Sequence, residues 1–137
     1  MNYPEKRPTP PPFSRNLTAM STATGSSIRL PNQPALIVWR EMHFLVMDAP
    51  SESNLHLYLQ EMQHHNVTSL VRVCEPTYPR DAVDAQGISL YDWVFPDGEG
   101  PSDDIIDAWL NLVSETFQEN NPLKRCIAVH CVAGLGR

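Results

Sequence analysis

No stretch of this 137-residue chain is apolar for long enough to form a membrane-spanning helix. Nor does a basic segment followed by an apolar core open it, so a secretory leader is not expected. Cysteine is scarce: Cys74, Cys126 and Cys131 make an odd set of three without framework spacing. That count argues against a disulfide-stapled secreted fold and for a reducing, cytoplasmic setting. A zinc site built from Cys126, His130 and Cys131 lacks a second ligand pair, and adjacent His and Cys do not readily share one tetrahedral ion, so neither a metal nor another cofactor is expected. Basic residues are few where nucleic acid would need them. Residues 1–34 carry Lys6, Arg7, Arg15 and Arg29 against Glu5, a net of +3, which leaves −9 for residues 35–137 out of a total of −6. An acidic body without clustered Lys and Arg excludes a phosphate-backbone ligand such as DNA or RNA.

What is present sorts into an extension and one domain. Residues 1–34 hold Pro8-Thr9-Pro10-Pro11-Pro12 and the Ser-, Thr- and Gly-containing stretch Ser21–Ser27, too little apolar material to fold, and are expected to be disordered. Residues 35–137 alternate strand and helix patterns, and a chain 42% hydrophobic can supply one core. Ala35–Trp39 and His43–Met47 read as paired strands. A helix over Ser53–His65 follows, with Leu55, Leu59 and Met62 as its apolar stripe, Ser53 as cap and Asn66 as stop. A strand ending at Val73, a loop over Pro76–Gly87 and a strand over Ile88–Tyr91 come next. A second helix over Ser102–Phe117 follows, capped by Ser102, with Ile105, Ile106, Trp109, Leu110, Val113 and Phe117 at helical spacing. Cys126–Val129 is a short buried strand. The fold class this implies is α/β, a mainly parallel central sheet flanked by helices.

The chemistry is concentrated in His130-Cys131-Val132-Ala133-Gly134-Leu135-Gly136-Arg137. A cysteine six positions before an arginine, with two glycines between, can wrap inward-facing backbone N–H groups around an anion while the guanidinium grips two of its oxygens. Such a cup favours thiolate over thiol and makes Cys131 a nucleophile near neutral pH. The strand before it delivers Cys131 to the carboxyl edge of the sheet, where open α/β sheets bind ligands. A second element, Asp92-Trp93-Val94-Phe95-Pro96-Asp97-Gly98, holds a carboxylate in a glycine-flanked turn. By itself Asp97 reads equally as a solvated turn residue; beside a cysteine loop it becomes the acid that protonates a departing alkoxide or phenoxide.

Val71-Arg72-Val73-Cys74-Glu75, the Asp92-Trp93 loop and the His130–Arg137 segment together resemble the phosphatases of regenerating liver. These are the type IVA members of the cysteine-based protein tyrosine phosphatase and dual-specificity superfamily. The cysteine loop alone points to the superfamily; its filling of Val132, Ala133, Gly134, Leu135 and Gly136 matches the subgroup, and the resemblance runs from about Ala35 to Arg137. It implies a tyrosine-phosphatase-like fold that hydrolyses phosphoprotein monoesters through a phosphocysteine. Cys131 would be the nucleophile and Arg137 the transition-state clamp. Residues Val132 to Arg137 would bind the phosphate, and Asp97 would act as the acid that later activates water. His130 matches the histidine that tunes the nucleophile, a packed strand-end histidine being the other reading. Cys74 matches the family's second cysteine, which forms a reversible disulfide with the nucleophile, against the plainer reading of a buried reduced thiol. Two departures stand out. Family members carry proline after the tryptophan and two consecutive aspartates, whereas this chain has Val94 and then Pro96-Asp97, which stiffens the loop and removes one N–H donor.

The other departure is length. The helix that follows the cysteine loop in this fold is absent from the chain, so residues 35–137 are expected to be the N-terminal part of a catalytic domain. The fragment alone is expected to be inactive. Besides phosphorylated proteins as substrates, the resemblance implies a second role as a low-turnover binding module for CBS-domain magnesium transport mediators. It also implies attachment of the longer protein to the cytoplasmic face of membranes through a prenylated C-terminal cysteine. A rhodanese-like sulfur transferase is a weaker alternative, since nothing in that chemistry calls for the Asp97 loop.

Overall fold

A computed structural model describes Leu30, residues 32–118 and residues 124–132. The extension up to residue 29 and five members of the cysteine loop, Ala133, Gly134, Leu135, Gly136 and Arg137, lie outside the described residues. Structured chain begins earlier than expected at residue 35. Leu30 is buried in the core, and Asn32 Nδ2 donates to Asp48 Oδ2 at 2.7 Å.

Five strands among the described residues make one sheet: β1 (Ala35–Trp39), β2 (Met42–Met47), β3 (Val67–Arg72), β4 (Ser89–Asp92) and β5 (Cys126–His130). The order across the sheet is β1-β2-β5-β3-β4. The β1–β2 hairpin is antiparallel and the other pairs are parallel, as the alternating pattern implied. Helix α1 (Leu55–His64) ends where Asn66 takes a φ of +60°, a conformation asparagine tolerates. Its N-cap is Asn54 rather than Ser53: the Asn54 side chain accepts from the Ser51 N–H at 2.7 Å and so closes the preceding turn instead of capping the helix. A short helix α2 (Asp81–Ala85) occupies what reads in sequence as loop. Helix α3 (Asp103–Thr116) starts as expected, the Ser102 hydroxyl accepting from the Ile105 N–H at 3.3 Å beside the acidic pair Asp103 and Asp104.

Alternation along the parallel strands divides the interior in two. On one face Leu45, Met47, Leu70, Leu90 and Ala128 pack against Leu55, Tyr58, Leu59 and Met62 of α1 and Val83 of α2. On the other, Val71, Val73, Ile127 and Cys131 meet α3. The α3 stripe is narrower than its periodicity suggested: Ile105, Trp109, Val113 and Phe117 are half-buried and Leu112 is buried, whereas Ile106 and Leu110 face outward. A cavity of about 600 Å³ opens on this second face, bounded by Ile37, Phe44, Trp93, Ile105 and Trp109, with Cys131 on its wall. No helix of the described residues is long and apolar enough to cross a membrane.

Candidate active site

The site stands on one rung of the sheet. Register pairs Asp92 of β4 with Arg72 of β3, Arg72 with His130 of β5, and His130 with Met47 of β2. Side chains paired in this way share a face, so three polar residues sit side by side at the carboxyl end of the α1 face. Their successors Trp93, Val73 and Cys131 fall on the α3 face. Ladder hydrogen bonds continue past the strand ends: Val73 N–H donates to the His130 carbonyl (3.1 Å), Trp93 N–H to the Arg72 carbonyl (2.9 Å), and Phe95 N–H to the Val73 carbonyl (3.4 Å). The segment after β3 therefore runs between those that leave β5 and β4.

Arg72 is the buried charge of this rung, its side chain 4% exposed. It donates from Nε and the Nη2 amine to the two Asp92 oxygens at 2.5 and 2.8 Å, and from Nη1 to the Tyr78 carbonyl at 2.6 Å. Its guanidinium also lies 4.7 Å from the centre of the Tyr78 ring. This fork satisfies a cation that would otherwise be prohibitively placed. The hydrogen bonds from Arg72 hold the Asp92 carboxyl below the usual carboxylate range.

His130 is 1% exposed, and burial pushes its imidazole down to about 4, so the ring is neutral at physiological pH. Nδ1 lies 3.0 Å from the Cys131 carbonyl oxygen, a pure acceptor, which assigns the proton to Nδ1. Nε2 is then the acceptor, and it lies 2.6 Å from the Tyr78 hydroxyl, which donates. Burial raises that phenol above its ordinary value and keeps the donor in place.

Cys131 emerges from β5 onto the second face, 8% exposed. The carbonyl of the next residue, Val132, accepts from the Ala49 N–H at 3.1 Å, so the cysteine loop leaves the strand with consecutive carbonyls of residues 130, 131 and 132 engaged by the scaffold. In a trans peptide the N–H points opposite to the carbonyl of the same unit, so the Cys131 carbonyl bound to His130 turns the Val132 N–H away from that ring. Asp97 is exposed, two residues past Phe95, which shares a buried cluster with Cys131. It occupies the second position of a turn closed by the Glu99 N–H on the Pro96 carbonyl (3.1 Å), and Gly98 takes the φ of +86° that a type II turn requires at the third.

The remaining cysteines differ. Cys74 is fully buried, its sulfur 3.8 Å from His130 Nδ1, in the same cluster as Cys131. Cys126 lies in the first core, where burial pushes its thiol up to about 12 and leaves it inert. No disulfide is seen among the described residues. Of the described residues that sequence reasoning singled out, Cys131, His130, Cys74, Val132 and Asp97, the structure brings together Cys74, His130 and Cys131. Sequence reasoning did not single out Arg72, Asp92 or Tyr78. An arginine within the strand pattern Val67–Val73, flanked by Leu70, Val71 and Val73, was the available signal, because a charge buried in a central strand requires a partner.

With Cys131 and Asp97 both carried past the carboxyl ends of parallel strands, β5 and β4, that flank β3, the fold defines the class: a tyrosine-phosphatase-like α/β domain. Comparison with known proteins narrows this. No family model matches the chain. The PRL-1 phosphatase of Drosophila melanogaster is 43% identical over 104 residues, covering 76% of this chain and 58% of the fly protein. A Dictyostelium discoideum protein named probable protein tyrosine phosphatase type IVA A is 40% identical over 114 residues, covering 83% of this chain and 68% of the relative. A solved structure from Leishmania major, described as a protein tyrosine phosphatase, superposes with a TM-score of 0.66 at 39% identity, covering 77% of this chain and 72% of that one. The chain belongs to the type IVA protein tyrosine phosphatases, the PRL family. It spans little more than half the length of the fly relative.

Proposed function

We propose that the protein hydrolyses phosphoprotein monoesters through a covalent phosphocysteine. The observation that carries this reading is the placement of Cys131 just past the end of β5, with the carbonyls of Cys131 and Val132 held by His130 and Ala49. In the first step the Cys131 thiolate attacks phosphorus, an S–P bond forms, and the P–O bond to the substrate breaks. Asp97 gives its proton to the departing oxygen. In the second, the Asp97 carboxylate takes a proton from water, the hydroxyl attacks phosphorus, and inorganic phosphate leaves as the thiolate is restored. Residues 133–137, with Arg137 as the clamp, would complete the oxygen cradle.

Mass spectrometry of the full-length protein after a brief pulse of a small aryl phosphate tests this reading. Wild type gains one phosphate, Cys131→Ser gains none, and Asp97→Ala accumulates the adduct because both its formation and its breakdown slow, breakdown more. A folded, reduced wild type with neither adduct nor turnover refutes the proposal.

A second reading is favoured by the exposed apolar side chains Val94, between Trp93 and Phe95, and Val132, next to Cys131. Apolar residues there suit a protein partner, and the CBS-domain magnesium transport mediators bound by this family are the partner we propose. The burial of Cys74 and Cys131 in one cluster supports redox control as well. A peroxide would oxidise the Cys131 thiolate to the sulfenic acid, and the Cys74 thiol would displace water from it to close a disulfide. A reducing cytoplasm is the location consistent with that cycle.

A further inference from the structure

The polar rung reaches the nucleophile through one residue that the catalytic reading leaves without a role. We propose that Tyr78 is a positioning residue for the nucleophile: its hydroxyl fixes His130 in the Nδ1–H tautomer, and that N–H holds the Cys131 carbonyl in place. The inference rests on Cys131 being the nucleophile and assigns a function to a residue 52 positions from the histidine it serves.

The chain of contacts is continuous. Asp92 holds Arg72, and Arg72 holds Tyr78 at both its carbonyl and its ring face. Thr77 Oγ1 donates to the Pro50 carbonyl at 2.6 Å, tying the Tyr78 loop to the segment whose Ala49 N–H binds Val132. Tyr78 thus enters a rigid setting, 4% exposed, with its hydroxyl aimed at Nε2. A neutral imidazole has two tautomers. With Nε2 accepting from Tyr78, the proton is forced onto Nδ1, where it meets the Cys131 oxygen. In the opposite tautomer two lone pairs would face each other across 3.0 Å, the carbonyl would be released, and the Val132 N–H of the same peptide unit would be free to turn with it. Cys74 also borders Nδ1, so the same tautomer governs what its sulfur meets.

The test measures alkylation of Cys131 by iodoacetamide as a function of pH in the full-length protein, read at the Cys131 peptide by mass spectrometry. The ¹⁵N NMR of the His130 ring is followed in parallel. Tyr78→Phe removes one oxygen and keeps the buried ring. We expect the inflection of the alkylation profile to rise by about one pH unit, close to tenfold less thiolate at low pH, and His130 to lose its single Nδ1–H tautomer. In a His130→Asn background, whose side-chain amide can donate to the Cys131 carbonyl without help, Tyr78→Phe should add no further shift. An unchanged inflection and tautomer in Tyr78→Phe overturns the proposal, as does an equal shift in the His130→Asn background. If instead wild-type Cys131 titrates as an ordinary thiol, the phosphatase reading is what fails. The tautomer then decides on Tyr78: its loss in Tyr78→Phe upholds the link to His130, and its retention refutes it.

Discussion

Replacing Arg72 by methionine should lower stability by about 3 kcal/mol, a figure that follows from the three charge-assisted hydrogen bonds it makes. Taken separately these would sum to more, at about 1.5–3 kcal/mol each. Asp92, however, is 35% exposed at its side chain, so water can rehydrate its carboxylate once the partner is gone. The Tyr78 carbonyl cannot be rehydrated as readily, and its orphaning costs about 1–3 kcal/mol. Loss of the guanidinium from the Tyr78 ring adds about 0.5–2 kcal/mol, offset in part by the better burial of a thioether. Equilibrium urea unfolding of the full-length protein would show this as a midpoint lowered by about 1–3 M at an unchanged slope. A double-mutant cycle with Asp92→Asn should give a coupling of about 1–2 kcal/mol, since the pair is bidentate and half-desolvated. A loss below about 1 kcal/mol together with a coupling near zero would refute the claim that this rung is an energetic unit.

Acid should destabilise the fold through His130: its folded value of about 4 lies below the unfolded 6.5, so the unfolded chain binds the extra proton between them. Stability is then fully present above pH 6.5 and falls by up to about 3 kcal/mol toward pH 4, with Asp92 adding to the loss as its lowered value is reached. Urea midpoints at pH 7, 5.5 and 4.5 check this, and His130→Asn should flatten the dependence; a flat wild-type profile would contradict it. Gly98→Ala, where an added Cβ meets nothing within 4 Å, should cost only the backbone penalty of about 1 kcal/mol at φ +86°, yet slow release of product from aryl phosphates by shifting Asp97. Calorimetry and steady-state kinetics on the same preparation separate the two effects. Met62→Ala, in the core between α1 and the sheet, should cost about 2–5 kcal/mol in urea unfolding without altering the pH profile of Cys131 alkylation.

The elements that sequence revealed are those whose signals are local. Helix α3 carries its cap, its acidic first turn and its apolar repeat within a few turns, and β5 is a short apolar run set off by polar residues. Helix α2 escaped notice because five residues are too few to display a period and its neighbourhood is rich in turn formers. Asn54 displaced Ser53 as the cap for a reason visible only in three dimensions, the reverse turn onto Ser51. The same holds at the site. Cys131 and Asp97 announce themselves by short-range context, but the Arg72–Asp92 and Tyr78–His130 pairs join residues 20 and 52 positions apart, and only the pairing of β3 with β4 and the path of the chain after β3 bring them together.

That register makes the strand ends a single cassette. Inserting one residue within β3, β4 or β5 would rotate everything beyond it to the opposite face, separating Arg72 from Asp92 or exchanging the places of His130 and Cys131. Variation in length has to be absorbed in the connections instead, around α2 or between Glu99 and Ser102, where the backbone is exposed. Chimaeras with relatives should therefore be joined there, exchanging the three strands and both loops together.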